Sequence, residues 1–130
     1  MMKPAQMIDA LLMCPYVLGG SSMHGADCWG IVELWYSHTL GIALEDRAGH
    51  PPGHDGMQSG FDASTQWHPI EAAENDCLVI MRAGRLEAGH VGVFYDGHVL
   101  HSGEHQGCTY QPISDRWIKS KITGFLKFNE

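Results

Sequence analysis

The residue pattern of the chain changes near position 76, and this change limits the folds that it can adopt. Two segments before it repeat apolar residues every three or four positions, which is typical of helices that bury one face. Five short runs after it are rich in β-branched and aromatic residues, which favour strands. These runs cover residues 77–82, 90–95, 98–102, 108–112 and 121–128. The order predicts an α+β fold in which N-terminal helices pack on a central antiparallel sheet of about five strands.

A glycine-rich loop separates the two predicted helices. The first helix is expected over residues 5–13, because Pro15 cannot continue it. After the loop, Asp27 is suited to be the N-cap of a second helix that begins at Cys28. The side chains expected on the buried face of this helix are Ile31, Val32, Leu34, Trp35 and His38.

Length, charge and hydropathy narrow the possible functions. We expect one domain over residues 1–130, with a long loop at residues 44–69, which are rich in Gly, Pro, His and Asp. The net charge is −7 and the eight Lys and Arg residues are scattered, which argues against a nucleic-acid partner. No apolar run is long enough for a membrane span, and the run before Cys14 is too short for a signal peptide. The expectation is therefore synthesis in the cytoplasm without a signal peptide.

The four cysteines are far apart in the sequence, at Cys14, Cys28, Cys77 and Cys108. No two of them form a Cys-x-x-Cys motif, and no Cys or His pair has the usual close spacing of metal ligands. We therefore expect free thiols in a reducing compartment, no metal and no other cofactor.

Cys28 is the strongest candidate for a nucleophile. In the first turn of a helix, unpaired backbone N–H groups and the positive end of the helix dipole favour a thiolate over a thiol. The alternative is that Cys28 is a small buried apolar side chain, which is the usual state of a free cysteine. Its position after a glycine-rich loop and directly after Asp27 favours the first interpretation.

A thiolate nucleophile needs a histidine that holds and later donates a proton, and two of the nine histidines are well placed. His90 is expected to open a strand after a turn at residues 84–89. The Asp96-Gly97 pair predicts a hairpin that brings His101 close to His90. His101 could then orient His90. The alternative is that both are polar residues at strand ends with no shared role.

Several short motifs follow one another in an order that is more informative than any one of them. They are Tyr16-Val-Leu-Gly-Gly20, Asp27-Cys28-Trp29-Gly30-Ile31-Val32, Asn75-Asp76-Cys77-Leu78-Val79, His90-Val-Gly-Val-Phe94 and Val99-Leu-His101. In this order the chain resembles the NlpC-type cell-wall endopeptidases, which are papain-like cysteine peptidases. The Asp-Cys-Trp-Gly motif is similar to the members that are encoded with phage tail proteins.

The resemblance implies a role for each candidate residue. Cys28 would attack a peptide carbonyl, His90 would act as base and then as acid, and His101 would orient His90. The hydroxyl of Tyr16, together with the backbone N–H of Cys28, would stabilise the oxyanion. Tyr16 could instead only pack the first helix against the loop. The implied substrate is the stem peptide of peptidoglycan, usually cut between D-glutamate and the diamino acid.

Two further residues of the motifs bear on substrate binding, and the chain departs from the family pattern in two places. Asp27 would lie where the free amine of a stem peptide binds, and it could also serve as the N-cap. Trp29 replaces the Ser commonly found after the nucleophile, which removes a small polar group from the substrate-binding rim. Asn75-Asp76 replaces the usual Gly-Asp pair, and we expect Asn75 to adopt the left-handed conformation of that Gly.

Three functions remain open on this basis. The first is a peptidoglycan hydrolase without cofactors that acts at the cell wall after delivery, with phage tail-tip proteins as possible partners. The second is a non-catalytic structural protein of tail assembly. The third is a thiol amidase or acyltransferase on a small molecule or lipid, for which Trp29 and the loop at residues 44–69 could form an apolar pocket. The family order of Cys28, His90 and His101 favours the first.

Overall fold

The computed structural model describes residues 1–44 and 65–129. Its helices are α1 (Pro4–Leu12), α2 (Cys28–Trp35) and α3 (Arg116–Lys121), and a π-helical turn (Tyr36–Leu40) continues α2. Its strands are β1 (Ser21–Ser22), β2 (Gly25–Ala26), β3 (Trp67–Ile70), β4 (Leu78–Ala83), β5 (Leu86–Tyr95), β6 (His98–Gly103), β7 (Gly107–Pro112) and β8 (Ile122–Phe128). Strands β3 to β8 form one antiparallel sheet in the order β3-β8-β4-β5-β6-β7. The α+β prediction is confirmed, with six strands in this sheet instead of about five.

The sixth strand is β3, which the sequence prediction missed. The loop expected over residues 44–69 ends too late, because Trp67–Ile70 pairs with β8. β3 lies at the edge of the sheet, where Pro69 can be accommodated although it has no N–H to donate. Residues 45–64 of the expected loop lie outside the described part of the chain.

Helix α2 begins where the sequence predicts and ends differently. The Asp27 side chain accepts a hydrogen bond from the backbone N–H of Gly30 at 2.8 Å, which confirms the N-cap and the start at Cys28. The expected core residues that are buried are Ile31, Val32, Leu34 and Trp35. The expectation that His38 is buried is wrong, because it is exposed. The wider π-helical turn changes which side chains return to the packed face, and Tyr36 is buried instead.

Strand β5 begins earlier than the sequence suggests. The turn between β4 and β5 lies at Gly84, which has a φ of 59°, so β5 already begins at Leu86. His90 therefore lies inside the strand, and the expectation that it opens the strand is wrong. Gly89 also belongs to the strand, where a Cβ would lie 2.6 Å from the Cβ of Ala83. Its role is to allow close packing beside an irregularity in the β4–β5 pairing rather than to form a turn.

The hairpin between β5 and β6 is confirmed at the Asp96-Gly97 pair. Both residues have positive φ, 49° and 76°, as a tight two-residue turn between strands requires. Tyr95 pairs with His98 next to the turn, and the pairing continues to Val93 and Leu100.

The turn before β4 is built around Asp76. The left-handed residue is Asp76, with a φ of 73°, so the expectation that Asn75 adopts this conformation is wrong. The carboxylate of Asp76 accepts a hydrogen bond from Trp35 Nε1 at 2.9 Å, and its carbonyl oxygen accepts one from the Tyr36 hydroxyl. The side chain of Asn75 accepts one from the backbone N–H of Asp96 at 2.9 Å. These contacts hold an aspartate in a conformation that it tolerates better than most residues.

Apolar clusters cover both faces of the sheet. The larger cluster joins α1 and α2 to the sheet and includes Met7, Leu11, Ile31, Trp35, Leu78, Val91 and Leu100. The smaller cluster contains Ile118 of α3 with Val79, Met81 and Val99. Strands β5 and β6 are thus held by helices, which fixes the strands that carry the candidate histidines. Within the described ranges, no helix is long and apolar enough to cross a membrane.

Candidate active site

Cys28 is the first residue of α2 and is 8% exposed. It forms no disulfide. Helix α2 packs against β5 and β6, the strands that contain His90 and His101. The N-terminal turn of a helix stabilises negative charge, so this position favours a thiolate. The candidate nucleophile is therefore nearly buried at the helix end that suits it.

The other three cysteines lie in surroundings that disfavour a thiolate. Burial raises the pKa of Cys14 and of Cys77. Burial, together with repulsion from Cys14, raises the pKa of Cys108 to about 12. All three are free thiols, as expected from the sequence. Their positions fit structural roles in the core.

Asp27 connects the glycine-rich loop to the start of α2. One carboxylate oxygen accepts from Gly30 N at 2.8 Å and the other accepts from Gly19 N at 2.9 Å. Asp27 is only 3% exposed. The role of helix cap is thus built into the structure, whereas its role in binding a substrate amine stays a prediction.

Tyr16 lies beside the segment that leads into α2. It forms a parallel bridge with Ala26, which is two residues before Cys28. The neighbouring hydrogen bonds run from Val17 N to Ala26 O at 3.2 Å and from Ala26 N to Pro15 O at 3.0 Å. The backbone of Tyr16 therefore lies beside the segment that ends at Cys28.

His90 and His101 are in direct contact. His90 Nε2 and His101 Nδ1 lie 2.8 Å apart, and the two rings are nearly perpendicular at 80°. Both residues lie beyond the last paired positions of the β5–β6 ladder, Val93 and Leu100. Gly92 permits this approach, since a Cβ there would lie 3.1 Å from the Cβ of His101. We call these two residues the histidine pair.

The end of β6 also touches the segment before the nucleophile. The Ser102 hydroxyl lies 3.5 Å from the carbonyl oxygen of Ala26. Ser102 follows His101, and Ala26 precedes Asp27 and Cys28. The elements that carry the candidate nucleophile and the histidine pair therefore meet at this end of β6.

A third side chain fixes the proton positions in the histidine pair. His101 Nε2 lies 2.7 Å from Gln111 Oε1, and the Thr109 hydroxyl donates to the same oxygen at 3.0 Å. Since an amide oxygen only accepts, His101 carries its proton on Nε2 and presents a lone pair on Nδ1. His90 then donates from Nε2 to His101 and keeps Nδ1 as its basic nitrogen. Burial lowers the pKa of His101, and the hydrogen bond to Gln111 opposes part of this effect.

Trp29 contacts an aromatic group on the edge strand β3. Its ring lies 6.2 Å from that of Trp67, edge to face at 75°. Trp67 in turn packs against Tyr36 and Phe128. Trp29 is partly exposed. Trp29 and Trp67 thus form a partly exposed aromatic contact beside the start of α2.

The sequence did not identify Gln111, Thr109 and Trp117 as neighbours of His101. Thr109 pairs with His101 across the β6–β7 hairpin, and Gln111 lies two residues further on the same face of β7. The alternation of side chains along β7 could be read from the sequence, but the register of the β6–β7 hairpin could not. Among residues 1–44 and 65–129, no group of three His, Cys, Asp or Glu side chains could hold a metal ion.

Comparison with known sequences adds a family to this geometry. The sequence profile described as NlpC/P60 family matches residues 13–127. The chain is 25% identical over 117 residues to a gamma-DL-glutamyl hydrolase of Bacillus subtilis, covering 88% of this chain and 26% of that protein. It is 27% identical over 109 residues to a probable endopeptidase of Haemophilus influenzae, covering 82% of this chain and 62% of that protein. The chain thus spans about a quarter of the first relative and about three fifths of the second.

A solved structure with the same architecture is the NlpC/p60 domain of the peptidoglycan hydrolase SagA. The TM-score is 0.65 at 16% sequence identity, and the match covers 95% of this chain and 94% of that one. At this identity the likeness concerns the fold. The predicted papain-like architecture is confirmed.

Proposed function

Because the chain belongs to the NlpC/P60 family, we propose that it is a cysteine peptidase that hydrolyses amide bonds in the stem peptides of peptidoglycan. The observation that carries this proposal is the hydrogen bond of 2.8 Å within the histidine pair, next to a helix that begins at Cys28. A base held in one tautomer beside a candidate thiolate is the arrangement that acyl transfer requires.

The proton positions suggest how the nucleophile is formed. His90 accepts the thiol proton of Cys28 on Nδ1, while its Nε2–H continues to donate to His101. Because His101 is neutral and accepts on Nδ1, it supports the imidazolium of His90 without competing for its proton. The products of this step are a thiolate on Cys28 and an imidazolium on His90.

The acyl-transfer steps follow from this ion pair. The thiolate forms a C–S bond to the amide carbonyl, whose electron pair moves onto oxygen. Collapse of this intermediate breaks the C–N bond, and the leaving amine takes the proton from His90. Water then attacks the thioester and gives a proton to His90, and Cys28 leaves as a thiolate.

We assign the stabilisation of the oxyanion to the Tyr16 hydroxyl and the backbone N–H of Cys28. The bridge between Tyr16 and Ala26 supports this assignment because it keeps Tyr16 close to the start of α2. One such donor contributes about 2.7–4 kcal/mol to transition-state stabilisation. Asp27 and Trp29 are proposed to line the substrate-binding rim.

The bond that we propose is the one between D-glutamate and diaminopimelate. The name of the Bacillus subtilis relative, a gamma-DL-glutamyl hydrolase, supports a glutamyl bond. The edge-to-face contact of Trp29 with Trp67 makes the rim aromatic, which favours contact with the apolar parts of the substrate.

We also propose that the protein is synthesised in the cytoplasm and acts at the wall after delivery by a phage tail or a similar machine. The similarity of Asp27-Cys28-Trp29-Gly30 to tail-encoded members supports this. The test is co-expression with tail-tip proteins encoded near its gene, followed by size-exclusion chromatography. Co-elution supports delivery by a tail, and separate elution argues against it. If Cys28→Ala leaves both co-elution and infectivity unchanged, the protein is a structural tail component.

Mass spectrometry of muropeptides that contain diaminopimelate tests the reaction. Wild-type protein is expected to cut the D-glutamyl bond, and Cys28→Ala is expected to leave the substrate intact. Cys14→Ala makes the same substitution at another buried thiol and is expected to retain activity. Intact muropeptides with a wild-type protein whose Cys28 still reacts with iodoacetamide would contradict the proposal.

A further inference from the structure

The far side of His101 is enclosed by side chains from two elements that the peptidase mechanism does not use. Gln111 and Thr109 on β7 contact its Nε2 side, at 2.7 Å and 3.4 Å. The ring of Trp117 on α3 lies nearly parallel to the imidazole at 13°, with ring centres 6.1 Å apart. His101 is 2% exposed although Trp117 itself is 50% exposed. Trp117 therefore lies between His101 and water.

We propose that Gln111 and Trp117 are positioning residues for His101, an inference that rests on the peptidase function proposed above: Gln111 fixes the proton on Nε2, and Trp117 keeps the imidazole neutral. Gln111 does so by geometry, because its oxygen accepts both from His101 and from the Thr109 hydroxyl. Trp117 does so by excluding water from the ring. Neither side chain touches the reacting atoms in this scheme.

The side chain of Gln111 is a neutral amide, and this neutrality matters for the protonation of His101. A carboxylate at this position would attract a second proton to His101, whose Nδ1 would then become a donor. Two donors would face each other across the 2.8 Å contact with His90. His90 would have to accept on Nε2 and carry its proton on Nδ1, the nitrogen that must take the thiol proton. The base would be lost although every residue of the histidine pair is still present.

The protonation of His101 depends on its burial and on its hydrogen bond to the Gln111 amide. From β5 the facing group is His90, and from β7 they are Thr109 and Gln111. From α3 the facing group is Trp117. Helix α2, which begins with Cys28, also packs on β6. Burial lowers the pKa of His101, and the hydrogen bond to Gln111 opposes it. Admitting water to the His101 ring and adding a charge at Gln111 should therefore both change the protonation equilibrium of His101.

The experiment measures the tautomer and titration of His101 by long-range ¹H–¹⁵N correlation in wild type, Gln111→Glu and Trp117→Ala. Gln106→Glu is the matched control, since it makes the same change at an exposed residue of the β6–β7 turn. In wild type we expect the proton on Nε2. The titration midpoint of His101 should rise by about one to three pH units in Gln111→Glu and by less in Trp117→Ala. Gln106→Glu should resemble wild type.

The rate at which iodoacetamide alkylates Cys28 provides a second measurement that needs no substrate. Its acid limb should move to higher pH in Gln111→Glu, in parallel with the titration of His101. For muropeptide cleavage near pH 6, kcat should fall about tenfold to a hundredfold, with KM within about twofold. A residue with a purely structural role would change stability without moving either pH profile.

A wild-type His101 with its proton on Nδ1 would overturn the inference, as would identical His101 titrations in Gln111→Glu and Gln106→Glu. If Gln111→Glu does not fold, Trp117→Ala decides, because its side chain is half-exposed. An unchanged titration there would overturn the inference, and a raised midpoint would support it. If the tautomer and titrations are as expected but wild type cuts no muropeptide, the positioning role stands and the proposed peptidase function fails.

Discussion

The two ends of the β5–β6 hairpin use histidine in different ways. At the closed end, His98 is partly exposed, stacks on Tyr110 with ring centres 4.5 Å apart, and contacts the carbonyl of Asp96 at 2.8 Å. At the open end, His101 is buried and is contacted by His90 of β5 and by Gln111 of β7. One imidazole has a hydrogen-bond partner from its own turn, and the other has hydrogen-bond partners from two neighbouring strands.

Regular strand pairing and the candidate catalytic histidines occupy separate parts of the same hairpin. Where β5 and β6 are paired, from Tyr95 and His98 to Val93 and Leu100, the side chains serve packing. Beyond that point, side chains of β5, β7 and α3 converge on His101. Substitutions at the two ends should therefore differ in their effects as much as the surroundings of the two ends differ.

The largest expected effect is that of His90→Ala at the open end. Because His90 is the proposed general base, its removal should lower kcat for muropeptide cleavage by about 10²–10⁴-fold. His98→Ala at the closed end should leave kcat within about twofold of wild type. Steady-state kinetics on a purified muropeptide measure both. Equal losses in the two variants would show that the two ends are not distinct.

His101→Ala should have the next largest effect, because it leaves His90 in place without its partner. We expect kcat to fall about tenfold to a hundredfold with little change in KM, since only the orientation of the base is lost. The matched variant is His98→Ala, which removes an imidazole from the same strand. A change in KM alone would instead assign His101 to substrate binding.

Substitutions at Gly92 and Gly97 compare how much the two ends of the hairpin contribute to the stability of the fold. A Cβ at Gly92 would lie 2.6 Å from Val99 Cγ1 and 2.9 Å from the Leu100 carbonyl oxygen, so Gly92→Ala should cost about 1–3 kcal/mol. Gly97 has a φ of 76°, and a Cβ there would point into open space among the described residues, so Gly97→Asn should stay within about 0.5 kcal/mol. Urea denaturation gives both values. A larger loss for Gly97→Asn would contradict this interpretation of the two ends.

The smallest expected effect is a dependence of stability on pH that comes from His101. Burial lowers its pKa in the folded protein, so the unfolded chain binds a proton first as the pH falls below about 6.5. The contribution is therefore intact above about pH 6.5 and is lost as the pH falls through the folded pKa. Urea denaturation at several pH values should show a weaker acid loss for His101→Gln than for His98→Gln. The same pH dependence in both variants would contradict the assignment.

Much of the fold could be predicted because its signals are local. Asp27 before Cys28 marks the start of α2, and Asp96-Gly97 marks the hairpin, since each depends on residues within a few positions. The exposed His38 and the strand at Trp67–Ile70 could not be predicted in the same way. A π-helical turn and an edge strand that contains proline are set by tertiary packing rather than by local preference.

Within the candidate site, the sequence could predict only the residues whose positions follow from the β5–β6 turn. His90 and His101 follow from Asp96-Gly97, whereas Gln111 depends on the register of the β6–β7 hairpin. Trp117 comes from α3, a helix of six residues that was missed although Asp115 before it is a typical N-cap residue. The catalytic roles of Cys28 and the histidine pair stay predictions until the variants above are measured.

The contacts of Asp76 have a consequence for the order of folding. Its hydrogen bonds to Trp35 and Tyr36 join residues that are 41 and 40 positions apart in the chain, respectively. Closing a loop of this length has an entropic cost before the contacts can compensate for it, so such contacts tend to form slowly. We therefore expect α2 to reach its final orientation only when β4 is in place. The thiol of Cys28 would then stay inactive in nascent chains until the second half of the domain has been synthesised.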